Sequence, residues 1–432
     1  MEEYLVPGIW VREFTVEVPL DWAAPQGKQI RVLVRELVDP ERRDEELPLL
    51  TYLQGGPGGA CPRPTERSGW IAEALEEYRI ILVDQRGTGG SSRIEGRDLA
   101  AFDDAESAAA HLALFRADSI VRDLEHVRTT VYAGAPWSTL GQSYGGWITL
   151  RYLSTAPEGL SACYVGGGIP GIGVSAAEVY RRTFDRVAAK SRAHFARYPG
   201  DVAQVSRIAD RLAVGDVYLP DGDLFTVERF QTLGIELGMQ RGSERLHWLL
   251  ESAFRADGEL TEEFLAGCLA LTSSARNPLY WTLQEAIYAD AGGGATAWAA
   301  QAERDRRPEL APERRPLALT GEMAFPWMFE QVRLLRPFRD AVQVMAARTE
   351  WRPLYDLDRL AANTVPLVAA VYFDDMYVDS GLQLDTLARI GASQAWVTSE
   401  HEHDGLANGG VFPHLRRLLR TGEGRRRVEP IG

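Results

Sequence analysis

Apolar positions in this chain follow two rhythms, and the change between them divides it. Up to about residue 173, short apolar runs alternate with helix-period stretches. Val11 to Val18 and Ile30 to Val38 are rich in Val, Ile, Thr and Phe, with Pro and Gly between them, which predicts strands. Pro48 to Leu53 and Ile80 to Val83 are continuous apolar runs closed by turn residues, as expected of strands buried on both faces of a parallel sheet. Trp70 to Tyr78 is helical in composition. Asp118 to Tyr132 carries Ile120, Val121, Leu124, Val127 and Val131 at the helix period, with Asp118 or Ser119 as its cap. A strand at Trp137 to Leu140, a helix at Trp147 to Leu153 and a strand at Ala162 to Val165 follow. Strands alternating with helices predict an α/β sheet covered on both faces.

From about Val174 the strand signals fade. Glu178 to Tyr198, Thr226 to Leu237, Glu244 to Phe254, Thr261 to Leu271 and Tyr280 to Ala291 all carry helical periodicity. Gly292-Gly293-Gly294 is a break, and Glu309 to Pro316 reads as an exposed loop. Strand patterns return at Pro366 to Phe373 and Ala395 to Thr398, before an amphipathic helix over Val411 to Leu419. The expected organisation is a core over residues 1–173, a mostly helical insertion over 174–364, and the rest of the core over 365–432.

Composition narrows the function. The 432 residues are 45% hydrophobic and 25% charged, ordinary for a globular protein, and the net charge is −14. That balance argues against nucleic acid or an anionic membrane as partner. Arg425-Arg426-Arg427 is too short to reverse it and reads as a solvated tail. No run approaches the roughly 20 apolar residues of a membrane span. The start, Met-Glu-Glu-Tyr, lacks a signal-peptide pattern. Cys61, Cys163 and Cys268 are far apart, with no metal-ligand spacing. A cytoplasmic protein without metal or cofactor is expected; the oligomeric state is not readable.

The chemistry gathers at strand ends. Gly141-Gln142-Ser143-Tyr144-Gly145 lies between a strand pattern and a helix pattern. A strand turning sharply into a helix strains the turn residue and lifts its side chain clear of the sheet. A serine there needs a base, and the base needs an orienting acid. In parallel sheets such groups sit at the C-terminal ends of strands. Asp374 and Asp375 follow one late strand, and His401 and His403 follow the other. The order Ser, Asp, His is that of the α/β-hydrolase fold. Gln54-Gly55-Gly56-Pro57-Gly58-Gly59 follows an earlier strand, with no Gly-Lys-Ser/Thr to make it a phosphate loop. It suits an oxyanion hole, with amides from Gly56 and Tyr144.

Taken together, Leu53-Gln54-Gly55-Gly56-Pro57-Gly58, Asp84-Gln85-Arg86-Gly87-Thr88-Gly89 and Gly141-Gln142-Ser143-Tyr144-Gly145-Gly146 resemble proline iminopeptidases (prolyl aminopeptidases), the longer form most closely. Asn277-Pro278-Leu279-Tyr280, Thr320-Gly321-Glu322-Met323, Asp374-Asp375-Met376-Tyr377-Val378 and Glu402-His403-Asp404-Gly405-Leu406 extend the resemblance over nearly the whole chain. It implies release of N-terminal proline from peptides, with Ser143 as nucleophile, Asp375 as acid and His403 as base. Asp374 and His401 are the rivals. Gln284 stands where the family commonly has His, and Ala407 where it has Arg.

An exopeptidase also has to recognise a free amine, and carboxylates in an apolar cap suit that task. Glu285, then Glu251, then Glu322 are the expected amine ligands, each within an aromatic or apolar stretch. Trp281, Tyr288, Trp327 and Phe329 are either pocket walls or core. Arg86 is expected to pair with nearby acids and support the oxyanion loop. Cys61 beside that loop would make the entrance sensitive to thiol reagents if it were exposed. An esterase, amidase or other exopeptidase on the same fold, and a silent binding protein, are the alternative readings.

Overall fold

The computed structural model describes residues 1–422, so the Arg425–Arg427 tail lies outside the described residues. Nine strands form one sheet: β1 (Glu2–Val6), β2 (Ile9–Pro19), β3 (Gln29–Val38), β4 (Leu49–Leu53), β5 (Arg79–Val83), β6 (Trp137–Gln142), β7 (Leu160–Gly166), β8 (Leu367–Tyr372) and β9 (Ser393–Thr398). Their spatial order is β1-β2-β3-β5-β4-β6-β7-β8-β9. The first three strands and β5 pair antiparallel; every pairing from β5 through β4 to β9 is parallel. β1 has no signature in the sequence because its side chains are almost all exposed. It is held as a hairpin partner of β2 through a turn at Pro7-Gly8.

Side chains alternate across each parallel strand, and both faces are apolar. In β5, Ile81 and Val83 join one buried cluster while Ile80 and Leu82 join another. In β8, Leu367, Ala369 and Val371 face the first cluster and Val368, Ala370 and Tyr372 the second. A two-residue period makes these opposite faces of the sheet. The helix Val411–Thr421 covers the second face through Val411, Phe412 and Leu415. The helices Ala117–Val131 and Gly145–Thr155 cover the first. The central strands therefore have no solvated face, and their loops are left to carry chemistry.

The chain leaves the sheet after β7 and returns at β8, and what lies between is helical apart from two isolated bridges. Its core is continuous with the first cluster: Tyr180, Phe184, Phe230, Leu279 and Phe329 belong to it. Two expected helices are broken here. The stretch from Thr226 is α-helical over Val227–Gln231 and then tightens to a 3-10 helix over Thr232–Gly238. Gly234 lies so close to the Thr320 carbonyl that a Cβ would sit 2.3 Å from its oxygen. The stretch expected to begin at Tyr280 starts at Pro278, because Asn277 caps it, and ends at Leu283. Beyond Tyr198, where no element was expected, Pro199 opens a further helix, Pro199–Leu212, at the position where a missing N–H costs nothing.

Candidate active site

β4 marks the reversal of the sheet. The chain passes from β4 to β5 on one side and then to β6 on the other. At such a switch point the loops after two neighbouring strands diverge and leave a crevice. Leu53 at the end of β4 pairs with Gly141 near the end of β6. The Gly-rich loop and Ser143 are therefore neighbours by topology.

Ser143 follows β6 with φ 52°, in the left-handed region that non-glycine residues rarely occupy. Its amide donates to the Gly166 carbonyl at 3.1 Å, and its carbonyl accepts from Gly146 at 2.8 Å. The glycines beside it are required by close approach. A Cβ on Gly145 would lie 2.0 Å from the Leu53 carbonyl oxygen, and one on Gly146 1.7 Å from that of Gly168. The helix Gly145–Thr155 is thus pressed onto the sheet with Tyr144 at its head, where helix amides lack intrahelical partners.

The Gly-rich loop touches this turn. A Cβ on Gly55 would sit 2.8 Å from the Gln142 carbonyl oxygen and 2.9 Å from Ser143 Cβ. Gly56 has φ 121°, which suits glycine alone. The loop is held from behind by Asp84, which is fully buried. Its carboxylate accepts from the Cys61 amide at 3.0 Å, the Gly90 amide at 2.9 Å and Arg63 Nη1 at 2.7 Å. Gln85 Nε2 adds a bond to the Gln54 carbonyl at 2.8 Å. Arg86 does not share this work, contrary to the expectation from sequence. It turns the other way, pairs with buried Asp123 at 2.6 Å and donates to the carbonyls of Pro19, Leu20 and Leu114.

The two late loops meet beside β6 and β7. Asp375 is 1% exposed and uses both oxygens: Oδ1 accepts from the amides of Tyr377 (2.8 Å) and Val378 (3.1 Å), and Oδ2 faces His403 Nδ1 at 2.8 Å. A Cβ on Gly167, just beyond β7, would lie 3.3 Å from that Oδ2. His403 is fixed by its backbone, which accepts from Gln142 Nε2 at 2.8 Å and donates to the Gly238 carbonyl at 3.1 Å. Gln142 immediately precedes Ser143, so the His403 loop is tied directly to the turn that carries the hydroxyl. Burial alone would depress the His403 imidazole. The charge and hydrogen bond of Asp375, with Glu322 and Asp404 behind it, outweigh burial and raise its pKa above the ordinary histidine value.

The rival residues lie elsewhere. The Asp374 side chain is largely exposed, 3.9 Å from Arg186. His401 packs between Tyr372 and Trp396 on the side of the second cluster.

Glu285 and Glu322 come from the helical segment. Glu285 is buried; its Oε1 accepts from the Ala300 amide at 3.1 Å, and its Oε2 has no hydrogen-bond partner. Burial pushes its pKa up to about 7. Glu322 accepts a hydrogen bond from Tyr280 and keeps a partial opening to solvent. The surrounding protein still pushes it up to about 7, with Asp375 adding to the rise and His403 and Tyr280 opposing it. Tyr288 feels the charge of Glu322, Glu285 and Asp375, which puts these acids in one neighbourhood. Tyr180 packs edge-on against Tyr288 at 5.6 Å, and its buried hydroxyl has no partner. Among the described residues, no group of His, Cys, Asp and Glu is arranged to hold a metal ion.

A family model described as alpha/beta hydrolase fold matches residues 48–210. Across 421 residues the chain is 44% identical to a proline iminopeptidase of Aeromonas sobria, covering 96% of this chain and 98% of that one. This chain belongs to the proline iminopeptidase family. A proline iminopeptidase of Aspergillus aculeatus is 34% identical over 412 residues, covering 91% of this chain and 90% of its own.

Against that family background, two expectations are corrected. Glu251 ends the helix Gly242–Glu251 and is exposed, because that helix turns Leu246 and Leu250 inward and leaves position 251 facing solvent. It does not join the buried acids. Cys61 is 2% exposed and directs its thiol to the Val83 carbonyl at 3.0 Å, so it does not guard the entrance. Of the expected pocket walls, Phe329 is fully buried against Trp298, while Tyr288 stands among the acids. Gln85 and Tyr377 lay within the motifs that carry the family resemblance, with no role read from them, and Tyr180 carried no signal. An isolated Tyr in a helix looks the same whether or not it faces an acid. Among the described residues no helix is long and apolar enough to cross a membrane.

Proposed function

We propose that this protein is a serine aminopeptidase that releases proline from the free N terminus of peptides. The observation that carries the reading is the Asp375–His403 pair at 2.8 Å, tied through Gln142 to the strained turn at Ser143. Asp375 fixes the imidazole with Nδ1 toward itself, which leaves Nε2 to act on the serine. His403 takes the Ser143 proton as the hydroxyl attacks the carbonyl of the first residue. The amides of Gly56 and Tyr144 receive the developing oxyanion, each such donor contributing about 10²–10³ in rate. His403 then protonates the departing nitrogen, and water repeats the sequence on the acyl-enzyme.

Recognition of the amine falls to Glu285 and Glu322. Both lose charge through burial, and a cationic amine placed beside them reverses that loss. Tyr180 and Tyr288 supply flat walls for the pyrrolidine ring. We take residues 174–364 as the cap that carries this pocket, with 1–173 and 365–432 as the core. We also place the protein in the cytoplasm, in keeping with its three buried free cysteines.

Steady-state kinetics on prolinamide, alaninamide and N-acetylprolinamide, with Ser143→Ala as blank, tests the reading. Prolinamide is expected to be cleaved best and the acetylated compound not at all. Equal cleavage of free and acetylated substrates would turn the assignment to an esterase or amidase.

A further inference from the structure

One cavity is left unused by this mechanism. A pocket of about 240 Å³ opens between the loop that carries Ser274 and Arg276, the helix that starts at Pro278, and the turn at Trp327. Ser143, His403, Glu285 and Glu322 do not line it, yet two of its walls are shared with the site. Tyr280 gives its ring to the pocket and its hydroxyl to Glu322. Asn277 lines the pocket while its Nδ2 donates to the Pro57 carbonyl in the oxyanion loop at 3.2 Å. The cavity therefore adjoins both the place that holds the amine and the place that holds the scissile carbonyl.

Two polar atoms of its lining residues lack partners. Trp327 Nε1 and Ser274 Oγ are buried atoms with no hydrogen-bond partner, a condition most native polar groups avoid. Ser274 is held at φ 58°, a strained conformation of the kind that clusters at ligand sites. An indole N–H and a hydroxyl both donate to carbonyl oxygens. Trp281 and Tyr280 offer flat apolar faces. Two cations border the cavity. Arg229 is already engaged, with Asp223 at 3.1 Å and Thr272 at 3.0 Å, whereas Arg276 is exposed. No carboxylate is among the described residues that line it. In a chain of net charge −14, an acid-free hollow bordered by arginine is a place for an anion.

We propose that this pocket receives the peptide that follows the released residue, and that Arg276 holds its C-terminal carboxylate. Short peptides with a free C terminus are then the preferred substrates. The amine is bound at one end by the cap acids, the scissile carbonyl lies at the oxyanion loop, and the remainder runs past Asn277 and Tyr280. Trp327 and Ser274 donate to its carbonyls, and the guanidinium makes a charge-assisted, two-pronged contact with its terminus. The proposal rests on the aminopeptidase reading above.

The test compares kcat/KM for Pro-Ala-Ala with a free C terminus, the same tripeptide amidated, and prolinamide. Wild-type enzyme is expected to favour the free acid over the amide by about tenfold, the size of one good charge-assisted bond. Arg276→Gln is expected to bring that ratio close to one. Trp327→Phe, which removes the N–H and keeps an aromatic wall, is expected to raise KM for both tripeptides. Equal kcat/KM for acid and amide in the wild type overturns the proposal without any variant. So does a preference that survives Arg276→Gln. If prolinamide itself is not cleaved, the aminopeptidase reading fails instead.

Discussion

Three titratable side chains decide what this site does at neutral pH, and each is governed by its neighbours. His403 is raised because Asp375, Glu322 and Asp404 together outweigh its burial. Glu285 and Glu322 are raised to about 7 because burial disfavours their charge. In the proposed mechanism acylation needs neutral His403, so kcat/KM for prolinamide is expected to climb with pH along a limb whose apparent pKa lies above the ordinary 6.5 or so of histidine. Glu322→Gln removes a negative neighbour, so it is expected to move that limb to lower pH while raising KM for the cationic amine. A limb that does not move would remove Glu322 from the electrostatics of the base. Residue identity and spacing made Ser143, the Asp374–Asp375 pair and the His401–His403 pair legible. The choice within each pair came from the family resemblance alone, because it depends on which side chain a loop turns toward β6. Glu251 shows the same limit: an acid within an apolar stretch looks buried until the helix register turns it outward.

At the scale of elements, the turn at Ser143 is one of the tightest constraints in the fold. Gly145 and Gly146 let the following helix contact the backbones of β4 and of the loop after β7. Gly146→Ala would force a methyl group to 1.7 Å from the Gly168 oxygen, which backbone cannot accommodate without shifting. Destabilisation of about 3 kcal/mol is expected, with loss of activity, because the same shift moves Ser143. A variant with wild-type Tm and activity would contradict the close packing described. The parallel strands were legible because burial on both faces leaves continuous apolar runs. The helical segment was legible only in outline. Its periodicity carried through Gly234 and Glu285, where contacts distant in sequence break the helices. β1 was silent because it buries almost nothing.

Across the whole molecule, the helical segment and the sheet are joined at the loops that carry Asp375 and His403. Lys190 Nζ bonds Glu402 at 2.5 Å, the Gln240 amide donates to Asp404 Oδ1 at 2.7 Å, and Tyr377 donates to the Ile235 carbonyl. Folded, Glu285 and Glu322 keep their protons up to about pH 7; unfolded, they lose them near 4.3. Between these values the native chain binds more protons, so these two groups make stability fall as pH rises. Thermal unfolding from pH 5 to pH 7.5 is expected to show a steeper decline in wild type than in the double variant Glu285→Gln/Glu322→Gln. Identical slopes would mean that the acids are not desolvated.

The proposed relay through Ser143, His403 and Asp375 underlies all of this, and a phosphonate probe that reacts only with an activated serine tests it most directly. Peptide mass spectrometry of the labelled protein is expected to find one adduct, on Ser143, formed in wild type and absent from His403→Ala. Labelling of another residue, or undiminished labelling of Ser143 without His403, would contradict the account.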